Sequence, residues 1–532
     1  VLERGREWLP GDFPDELGEL ALELRGALNP LGLLENNTHP AAGMDVLCAS
    51  GLGGTSLLNA AITLRPAPNV WAQPEWPAAV RADFTSGALD HDFATAEAML
   101  RPGTSPMTRS IARAAAHLAC FEERARSRGV RTGELTLNVN HEPGREQHGV
   151  RQAACTACGN CCGGCNVGAK NTLTTNYLPC AKDHGASLFT QLEVTHLEKL
   201  PLTRPSDARW LVHYVHHAMG PLGLPERRRG ALTANAVFLG AGSVGTTRIL
   251  MRSEREGLAL SEHLGSRVSA NGDVLGAIYN TDVRTGVVPF RDTRAPAGAG
   301  QAAVGQTIST YADFRSDSAR LPLDEQFVLL DGVIPRPFVP AAARLLSLHP
   351  AALAGAIGSP AALGRLGRDA LMGLYPSPEG ALGHSMILLA CGHDSASGRY
   401  VAHGESLYVA WPGILEERSF RAIRREMEAY AERMGGVFIA NPRSELVGGA
   451  MQATHPLGGA TMSDAIATGV VSHLGQVWDP TGDVHEGLFV TDAAAIPRSL
   501  GAPPLITITA LAERAMRHAL AERAMRQALA PT

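Results

Sequence analysis

The chain has 532 residues, of which 45% are hydrophobic, and it carries a net charge of −5. This length exceeds what one hydrophobic core supports and predicts two or more domains. The charges form no basic stripe, which argues against a nucleic-acid partner, and no run of roughly 18–20 apolar residues is present to form a transmembrane segment. The 57 glycines and 34 prolines, against 5% aromatics, favour a loop-rich α/β enzyme over a helical bundle.

The first elements in chain order are a strand end, a glycine loop and helices. Val1–Gly5 is typical of the end of a buried strand, with an acid at Glu3, where a first βαβ unit carries its ribose-binding carboxylate. A solvated surface acid is the alternative. The chain starts without Met and shows no secretory signal. Because the phosphate loop that would accompany the Glu3 strand is not present in these residues, we expect a first strand and phosphate loop upstream. Residues 51–66 form a glycine loop that enters an apolar element, and residues 90–130 show helical periodicity.

The second half continues the mixture of strands and helices. Residues 233–252 predict a strand, a tight turn and a helix, and residues 274–339 alternate like short antiparallel strands. Residues 416–434 predict a charged amphipathic helix that two glycines end. The C-terminus predicts a helix in which Leu-Ala-Glu-Arg-Ala-Met-Arg occurs twice, at 511–517 and 520–526.

Two glycine loops have the composition to approach a phosphate. Gly240-x-Gly242-x-x-Gly245 lies between a strand and a helix, but no acid closes a second strand about 20 residues later. We therefore interpret it as a turn without a nucleotide. In the other loop, Gly53 and Gly54 leave backbone N–H groups free to face an anion or a flat ring. An ordinary loop before a helix is an equal alternative there.

Five of the nine cysteines lie in one short segment, which argues against a disulfide framework and favours a reducing compartment. Cys155-x2-Cys158-x2-Cys161-x3-Cys165 has the spacing of a bacterial iron–sulfur run. However, Asn166 follows where such runs have proline, and no second run is present to share the fourth cysteine. We expect a small-residue loop that packs under a cofactor and binds no metal. An iron–sulfur cluster and a zinc site are the alternatives.

The C-terminal region combines a fixed histidine, an acid and a proline-rich turn. His455 precedes Pro456 and two glycines, a stiff turn that suits an acid–base imidazole, with a structural histidine as the alternative. Residues 487–492 predict a strand that ends in an acid, and residues 501–504 lead into a helix. A strand, a buried acid and a helix N-terminus at one pole can hold a flavin.

In their order along the chain, these segments resemble the glucose–methanol–choline (GMC) family of FAD-dependent alcohol oxidoreductases, in its cholesterol-oxidase-like branch. The resemblance extends over nearly the whole chain. The matching segments are the Glu3 strand, Gly51–Asn59, residues 164–173, 177–179 and 238–245, Asn271-Gly272, Thr454–Gly459 and residues 492–514.

The resemblance implies an FAD site and assigns roles to residues. Glu3 would bind the adenosine ribose, and Val194 would pair with adenine through its backbone. Asp492 would hold the ribityl or pyrophosphate end, and Pro504 and Leu505 would contact the isoalloxazine ring. The residues implied to line the flavin and its pyrophosphate are Gly51, Gly53, Gly54, Ser56 and Asn59.

The implied chemistry is alcohol oxidation, in which His455 takes the hydroxyl proton, hydride passes to the flavin, and O2 or another acceptor removes the electrons. Two departures stand out. Pro503 occupies the position of a family Asn or His and cannot offer a side-chain hydrogen bond, so a catalytically impaired flavoprotein is an alternative. The second departure is at the glutamate base of cholesterol oxidases, whose counterpart in this chain is an aspartate, Asp331. A sterol substrate, and with it a place in steroid or lipid metabolism, is a further expectation from the resemblance.

We therefore expect an α/β fold in which a Rossmann-like FAD-binding domain is interleaved with an α+β substrate domain built on an antiparallel sheet. The first would comprise residues 1–66, 180–272 and 480–532, and the second residues 67–179 and 273–479. The expected function is oxidation of the CH–OH group of an apolar alcohol, and an iron–sulfur electron-transfer protein is the main rival. We also expect a cytoplasmic location and poor FAD binding by residues 1–532 without the upstream strand.

Overall fold

The structure, a computed structural model, describes residues 1–26, 29–201, 208–219, 225–289, 303–317, 321–355, 380–441 and 451–529. Its α-helices are α1 (Leu17–Leu22), α2 (Pro68–Trp71), α3 (Ala78–Ser86), α4 (Ala88–Leu100), α5 (Ala112–Arg128), α6 (Tyr177–Asp183), α7 (Gly242–Arg255), α8 (Val339–Ser347), α9 (Pro350–Gly355), α10 (Arg418–Met434) and α11 (Leu505–Leu529).

The strands are short, as expected of a chain rich in glycine and proline. They are β1 (Leu34–Asn37), β2 (Met44–Ala49), β3 (Gly103–Thr104), β4 (Arg131–Glu134), β5 (Thr136–Leu137), β6 (Arg145–Gln147), β7 (Val150–Gln152), β8 (Leu192–Lys199), β9 (Trp210–Met219), β10 (Pro225–Ala234), β11 (Val237–Leu239), β12 (Val274–Tyr279), β13 (Thr310–Asp313), β14 (Val328–Gly332), β15 (Met386–Cys391), β16 (Arg399–His403), β17 (Ser406–Ala410), β18 (Val437–Ala440), β19 (Met451–Ala453), β20 (Gln476–Trp478) and β21 (Val484–Val490).

The largest sheet is antiparallel and lies in the predicted substrate domain. Its strand order is β18-β12-β15-β14-β13-β4, and the alternation noted over residues 274–339 is the source of β12, β13 and β14. Helix α10 packs on this sheet through buried Ile423, Met427 and Tyr430. The helix ends where Gly435 adopts a left-handed φ of 66°, as the glycine pair predicts.

Besides this sheet, the described part of the chain contains two three-stranded sheets, a five-stranded sheet and two two-stranded sheets, β3-β5 and β6-β7. In the order β11-β21-β20, β11 and β21 are parallel, which aligns Leu239 with Val490 just before the turn into α7. The strand, turn and helix predicted for residues 233–252 are confirmed as β11 and α7. The second sheet is β10-β9-β8, and the five-stranded sheet has the order β1-β2-β17-β16, with β19 paired to β2.

One core cluster joins segments that lie far apart in the chain. Trp71 and Phe93 pack there with Leu239, Leu488 and Ile506, so residues that follow the predicted boundary at 66/67 share the core of the flavin-side sheet. The α/β fold expected from the sequence is confirmed, while the domain boundaries stay a prediction. Across the described ranges, no helix has the length and apolarity of a membrane-spanning segment.

Candidate active site

A histidine and a buried acid form the centre of the site. His455 Nδ1 lies 2.8 Å from Asp273 Oδ1, and the second carboxylate oxygen accepts the backbone N–H groups of Thr454 and His455. The Asp273 side chain is 1% exposed, whereas that of His455 is 20% exposed. Because Nδ1 donates to the acid, the ring's lone pair lies on Nε2. Nε2 has no hydrogen-bond partner within the described part of the chain, so it is available to a substrate.

The segment from Asn271 to Asp273 connects the histidine to the proline-rich turn. The side-chain oxygen of Asn271 accepts the N–H of Leu500, and its amide donates to the carbonyl of Ala502. Two residues later, Asp273 holds His455. Gly272 between them has a left-handed φ of 61°, and a Cβ there would lie 2.3 Å from the backbone of Gly392. Glycine is required at this position, and three consecutive residues fix both halves of the site.

A second loop, at the end of β15, closes around the same segment. Cys391 Sγ lies 3.6 Å from Asp273 Oδ1 and 3.8 Å from His455 Nδ1. Asp394 accepts the N–H of Gly272 at 2.7 Å, and burial raises the pKa of its carboxyl to about 6. Between them, the ring of His393 lies against Gly501, and burial lowers its pKa to about 3. This histidine is therefore neutral at physiological pH.

Asp331, the expected counterpart of a catalytic glutamate, does not join this group. Its side chain is fully buried and forms an ion pair of 2.6 Å with Arg113, while its other oxygen accepts the N–H groups of Ser309 and Thr310. Burial opposes its charged form, but Arg113 and the hydrogen bonds outweigh burial and lower its pKa. In the sheet, Asp331 of β14 lies opposite Leu388 of β15, which is three residues and about 10 Å along that strand from Cys391. The geometry therefore supports a structural role for Asp331 and not that of a base.

The segment that carries Glu3, in which Leu2 forms an isolated parallel bridge with Phe189, contacts the first glycine loop. The Glu3 carboxylate accepts the N–H of Gly5 at 2.6 Å and that of Gly51 at 3.3 Å, and burial raises its pKa. The carbonyl of Glu3 accepts the N–H of Leu192, which begins the strand that carries Val194. The structure thus brings together the residues expected at the ribose and the adenine.

The loop that follows has the backbone shape expected of a flavin cradle. Gly51, Gly53 and Gly54 have φ values of 150°, 105° and 57°, which disfavour other residues. A Cβ added at Gly54 would meet no atom within 4 Å, so the turn faces open space. Ser56 holds the loop by donating to the carbonyl of Gly53 and accepting the N–H of Leu173, and Asn59 accepts the N–H of Ala61.

Asp492 lies at the end of β21, as expected, but its carboxylate is partly used within the protein. One oxygen accepts the N–H of Gly242 and the hydroxyl of Thr246, and the other accepts the N–H of Ala494. Burial raises its pKa to about 6. The turn at 240–245 is therefore held by the acid, which agrees with its interpretation as a turn without a nucleotide of its own.

Pro504 and Leu505 stand at the start of α11, where unpaired N–H groups give the helix a positive end. Gly501, Ala502 and Pro503 before them are buried. The donor set present here fits FAD. It combines an acid for a ribose, an open glycine turn for the dinucleotide and a helix N-terminus for the electron-rich edge of the ring.

Sequence reasoning missed Asp273, Cys391 and His393. A signal for Asp273 existed, because it directly follows the Asn271-Gly272 pair that matched the family. Cys391 and His393 carried no signal. Their position near Asp273 depends on the pairing of β15 with β12, which the pattern of a single sequence does not specify.

Comparisons with known proteins give the same result as the geometry. GMC oxidoreductase family models match residues 38–271 and 419–512. A cholesterol oxidase of Acinetobacter baumannii is 25% identical over 97% of this chain and 89% of its own length. Among solved structures, a fungal aryl-alcohol oxidase superposes with a TM-score of 0.56 at 15% identity, covering 97% of this chain and 93% of its own. An FAD-dependent oxidoreductase from Chaetomium thermophilum gives 0.57 at 15% identity, covering 98% and 94%.

Proposed function

Because this chain belongs to the GMC oxidoreductase family, and is thus an FAD-dependent alcohol oxidoreductase, we propose that it oxidises the CH–OH group of an apolar alcohol at His455. The observation that carries the proposal is the Asp273–His455 pair, which fixes the ring and leaves Nε2 open. Bound FAD supplies the hydride acceptor. A sterol is the proposed substrate, and its support is the resemblance to cholesterol oxidases.

In this proposal, His455 accepts the hydroxyl proton at Nε2 as the carbinol C–H bond breaks. Asp273 holds the tautomer and stabilises the imidazolium that forms. The N-terminus of α11 and the glycine loop hold the cofactor in position. Glu3 and Val194 are the proposed residues at its ribose and adenine, and O2 or another acceptor receives the electrons.

We propose that His393 supplies the polar contact that Pro503 cannot. Its ring lies against Gly501, two residues before that proline, and its neutral imidazole has both a donor and an acceptor nitrogen. The position of His393 therefore supports an active enzyme over an impaired flavoprotein. His393→Phe keeps a ring in place and should lower kcat about tenfold or more, the smaller end of the loss expected for a positioned polar group.

The test of the proposed function is anaerobic mixing of the full-length, FAD-loaded protein with a panel of alcohols. The panel contains a sterol, an aryl alcohol, a short aliphatic alcohol and a hexose, and flavin absorbance is followed. We expect bleaching with the apolar alcohols, slowed when the carbinol hydrogen is deuterium. Bound FAD that no alcohol reduces would contradict the proposal and identify an impaired flavoprotein.

We also propose that the protein works in the cytoplasm, which is a reducing compartment. No disulfide joins any of the nine cysteines, all of which lie in the described ranges.

A further inference from the structure

The four cysteines of the iron–sulfur-like run line one cavity. Cys155, Cys158, Cys161 and Cys165 all border one cavity, whereas the neighbouring Cys162 does not. The sequence left open whether the fourth cysteine of such a run would serve a different cluster. In the fold all four point at the same space, so they form one potential ligand set from a segment of eleven residues.

The spacing of the sulfurs distinguishes between a single ion and a cluster. Around one zinc ion with Zn–S bonds near 2.3 Å, thiolate sulfurs lie about 3.8 Å apart. Among the described residues, Asp273, Cys391 and His455 form a set with all donor atoms within 4.8 Å, and the cysteine run forms none. No three of its sulfurs therefore lie as close together as a mononuclear site requires, whereas a cluster does not require this closeness because its ligands bind different iron atoms.

Two donors reach the sulfur of Cys155 from the surrounding backbone and side chains. Cys155 Sγ accepts the N–H of Ala157 at 3.4 Å and the amide of Gln306 at 3.5 Å. Ala157 has a φ of 55°, a costly conformation for a residue other than glycine. Hydrogen bonds to sulfur stabilise the thiolate form and set the reduction potential of iron–sulfur clusters.

A buried positive charge lies beside the same cavity. Lys170 lines it, is 2% exposed, and donates to the carbonyls of Leu57, Asn59 and Cys161 at 2.7, 3.0 and 2.8 Å. No carboxylate pairs with Lys170 within the described part of the chain. A buried charge without a counter-charge is costly, and a cluster held by four thiolates would supply the missing negative charge.

We propose that Cys155, Cys158, Cys161 and Cys165 bind a [4Fe–4S] cluster that takes electrons from the flavin and passes them out of the protein. The cluster site rests on the cysteine cavity alone, and the electron route rests also on the proposed alcohol oxidation. Lys170 connects the cysteine loop directly to residues 57–59, which belong to the expected flavin cradle. A bound cluster and a bound flavin would therefore be connected through this one side chain.

The electron count balances with a one-electron acceptor outside the protein. Oxidation of one alcohol to its carbonyl compound releases two electrons and two protons. The cluster accepts one electron at a time and gives each to the external acceptor before it takes the next, so two acceptor molecules are reduced per alcohol. The protons leave to solvent, the first of them through His455. This arrangement makes the protein a dehydrogenase, for which O2 is not the principal acceptor.

The first experiment is metal and sulfide analysis of the full-length wild-type protein after anaerobic purification, with electron paramagnetic resonance after dithionite reduction. We expect about four irons and four acid-labile sulfides per chain, and a spectrum of a reduced cubane. One zinc per chain, or no metal at all, would overturn the proposal. This measurement needs no variant, so it does not depend on whether a substituted chain folds.

The second experiment assigns the ligands. Cys165→Ser should lose the iron, and Cys162→Ser, the matched control from the same segment, should keep it. Iron retained in Cys165→Ser and lost in Cys162→Ser would refute the ligand set. FAD content reports folding of each variant. With ferricenium as the electron acceptor, the rate of ferricenium reduction should be at least about tenfold lower in Cys165→Ser than in the wild-type protein.

The two proposals fail separately in these measurements. His455→Gln should retain the iron and lose flavin reduction by the alcohol. Wild-type protein that contains iron but whose flavin no alcohol reduces would contradict the proposed function and leave the cluster in place. Wild-type protein without iron whose flavin an alcohol reduces would refute the cluster and leave the proposed function.

Discussion

Two buried acids, Asp273 and Asp331, each pair with a basic side chain near the same antiparallel sheet. They differ in whether that partner side chain keeps a nitrogen without a hydrogen bond. Asp331 and Arg113 are both 0% exposed, and all three functional nitrogens of Arg113 are paired, as are both oxygens of the acid. Asp273 is just as buried, but its partner His455 is 20% exposed. The two pairs therefore differ in what they offer a substrate, because Nε2 of His455 is open whereas the nitrogens of Arg113 and the oxygens of Asp331 are all paired.

The strongest test of this contrast is His455→Gln. The amide cannot take a proton at neutral pH, so kcat should fall about 100- to 10,000-fold, the range for a lost acid–base group. FAD content and the unfolding midpoint should stay near the wild-type values, since the ring is partly exposed. Steady-state kinetics and flavin absorbance on the same preparation measure both. An unchanged kcat would remove His455 from the mechanism.

The opposite result is expected for Arg113→Met. It leaves Asp331 charged and unpaired in the core, which should cost about 3–5 kcal/mol of unfolding free energy. Urea denaturation measures the loss. The double variant Arg113→Met with Asp331→Leu should recover much of it, because no uncompensated charge remains. If the folded fraction of Arg113→Met also lost its kcat, the pair would have a catalytic role after all.

Asp394 extends the comparison to a buried acid that forms no ion pair in the described ranges. Burial raises its pKa to about 6, above the value of about 3.9 in the unfolded chain. Its protonated form therefore stabilises the fold at low pH, and this contribution is lost as pH rises from about 4 through 6. Relative to Asp394→Asn, the wild-type protein should lose on the order of 3 kcal/mol over that interval.

Urea midpoints from pH 4 to pH 7 check this prediction for Asp394. Exposed Glu256→Gln is the matched control and should run parallel to the wild-type protein. A constant difference between Asp394→Asn and the wild type would mean that this acid is ionised throughout the interval.

The smallest effect is expected for Asp273→Asn. Its amide oxygen can accept from Nδ1 only if its NH2 group faces the N–H donors of Thr454 and His455, and the negative charge that stabilises the imidazolium is lost. We therefore expect kcat to fall about 100-fold, the lower end of the range for a lost acid–base group. KM and FAD content should hold, which separates positioning of His455 from general damage. Asp273→Glu restores the charge and should recover part of kcat. Equal kcat values for the Asn and Glu variants would show that the charge at this position does not matter.

Local patterns carried much of the fold and part of the site. Helix α10 and the turn before α7 were predictable because periodicity and glycine punctuation are local signals. His455 was predictable because the proline and glycines that stiffen its turn are its sequence neighbours. The α/β class followed in the same way from the alternation of strand and helix patterns.

The rest depended on contacts between distant segments. Asp273 and His455 are 182 residues apart, and the ion pair of Asp331 with Arg113, 218 residues earlier, could not be predicted from the sequence. The cysteine run shows the same limit. Its spacing was visible, but the shared cavity and the approach of Lys170 depend on how the loop folds back on residues 57–59.

The three hydrogen bonds of Lys170 also set how this part of the protein opens. A single ammonium joins carbonyls of residues 57–59 to that of Cys161, so neither loop can leave its place without stranding a charge. The two loops should therefore unfold locally as one unit. In hydrogen–deuterium exchange, their amides should share one opening rate, and Lys170→Met should divide that rate into two.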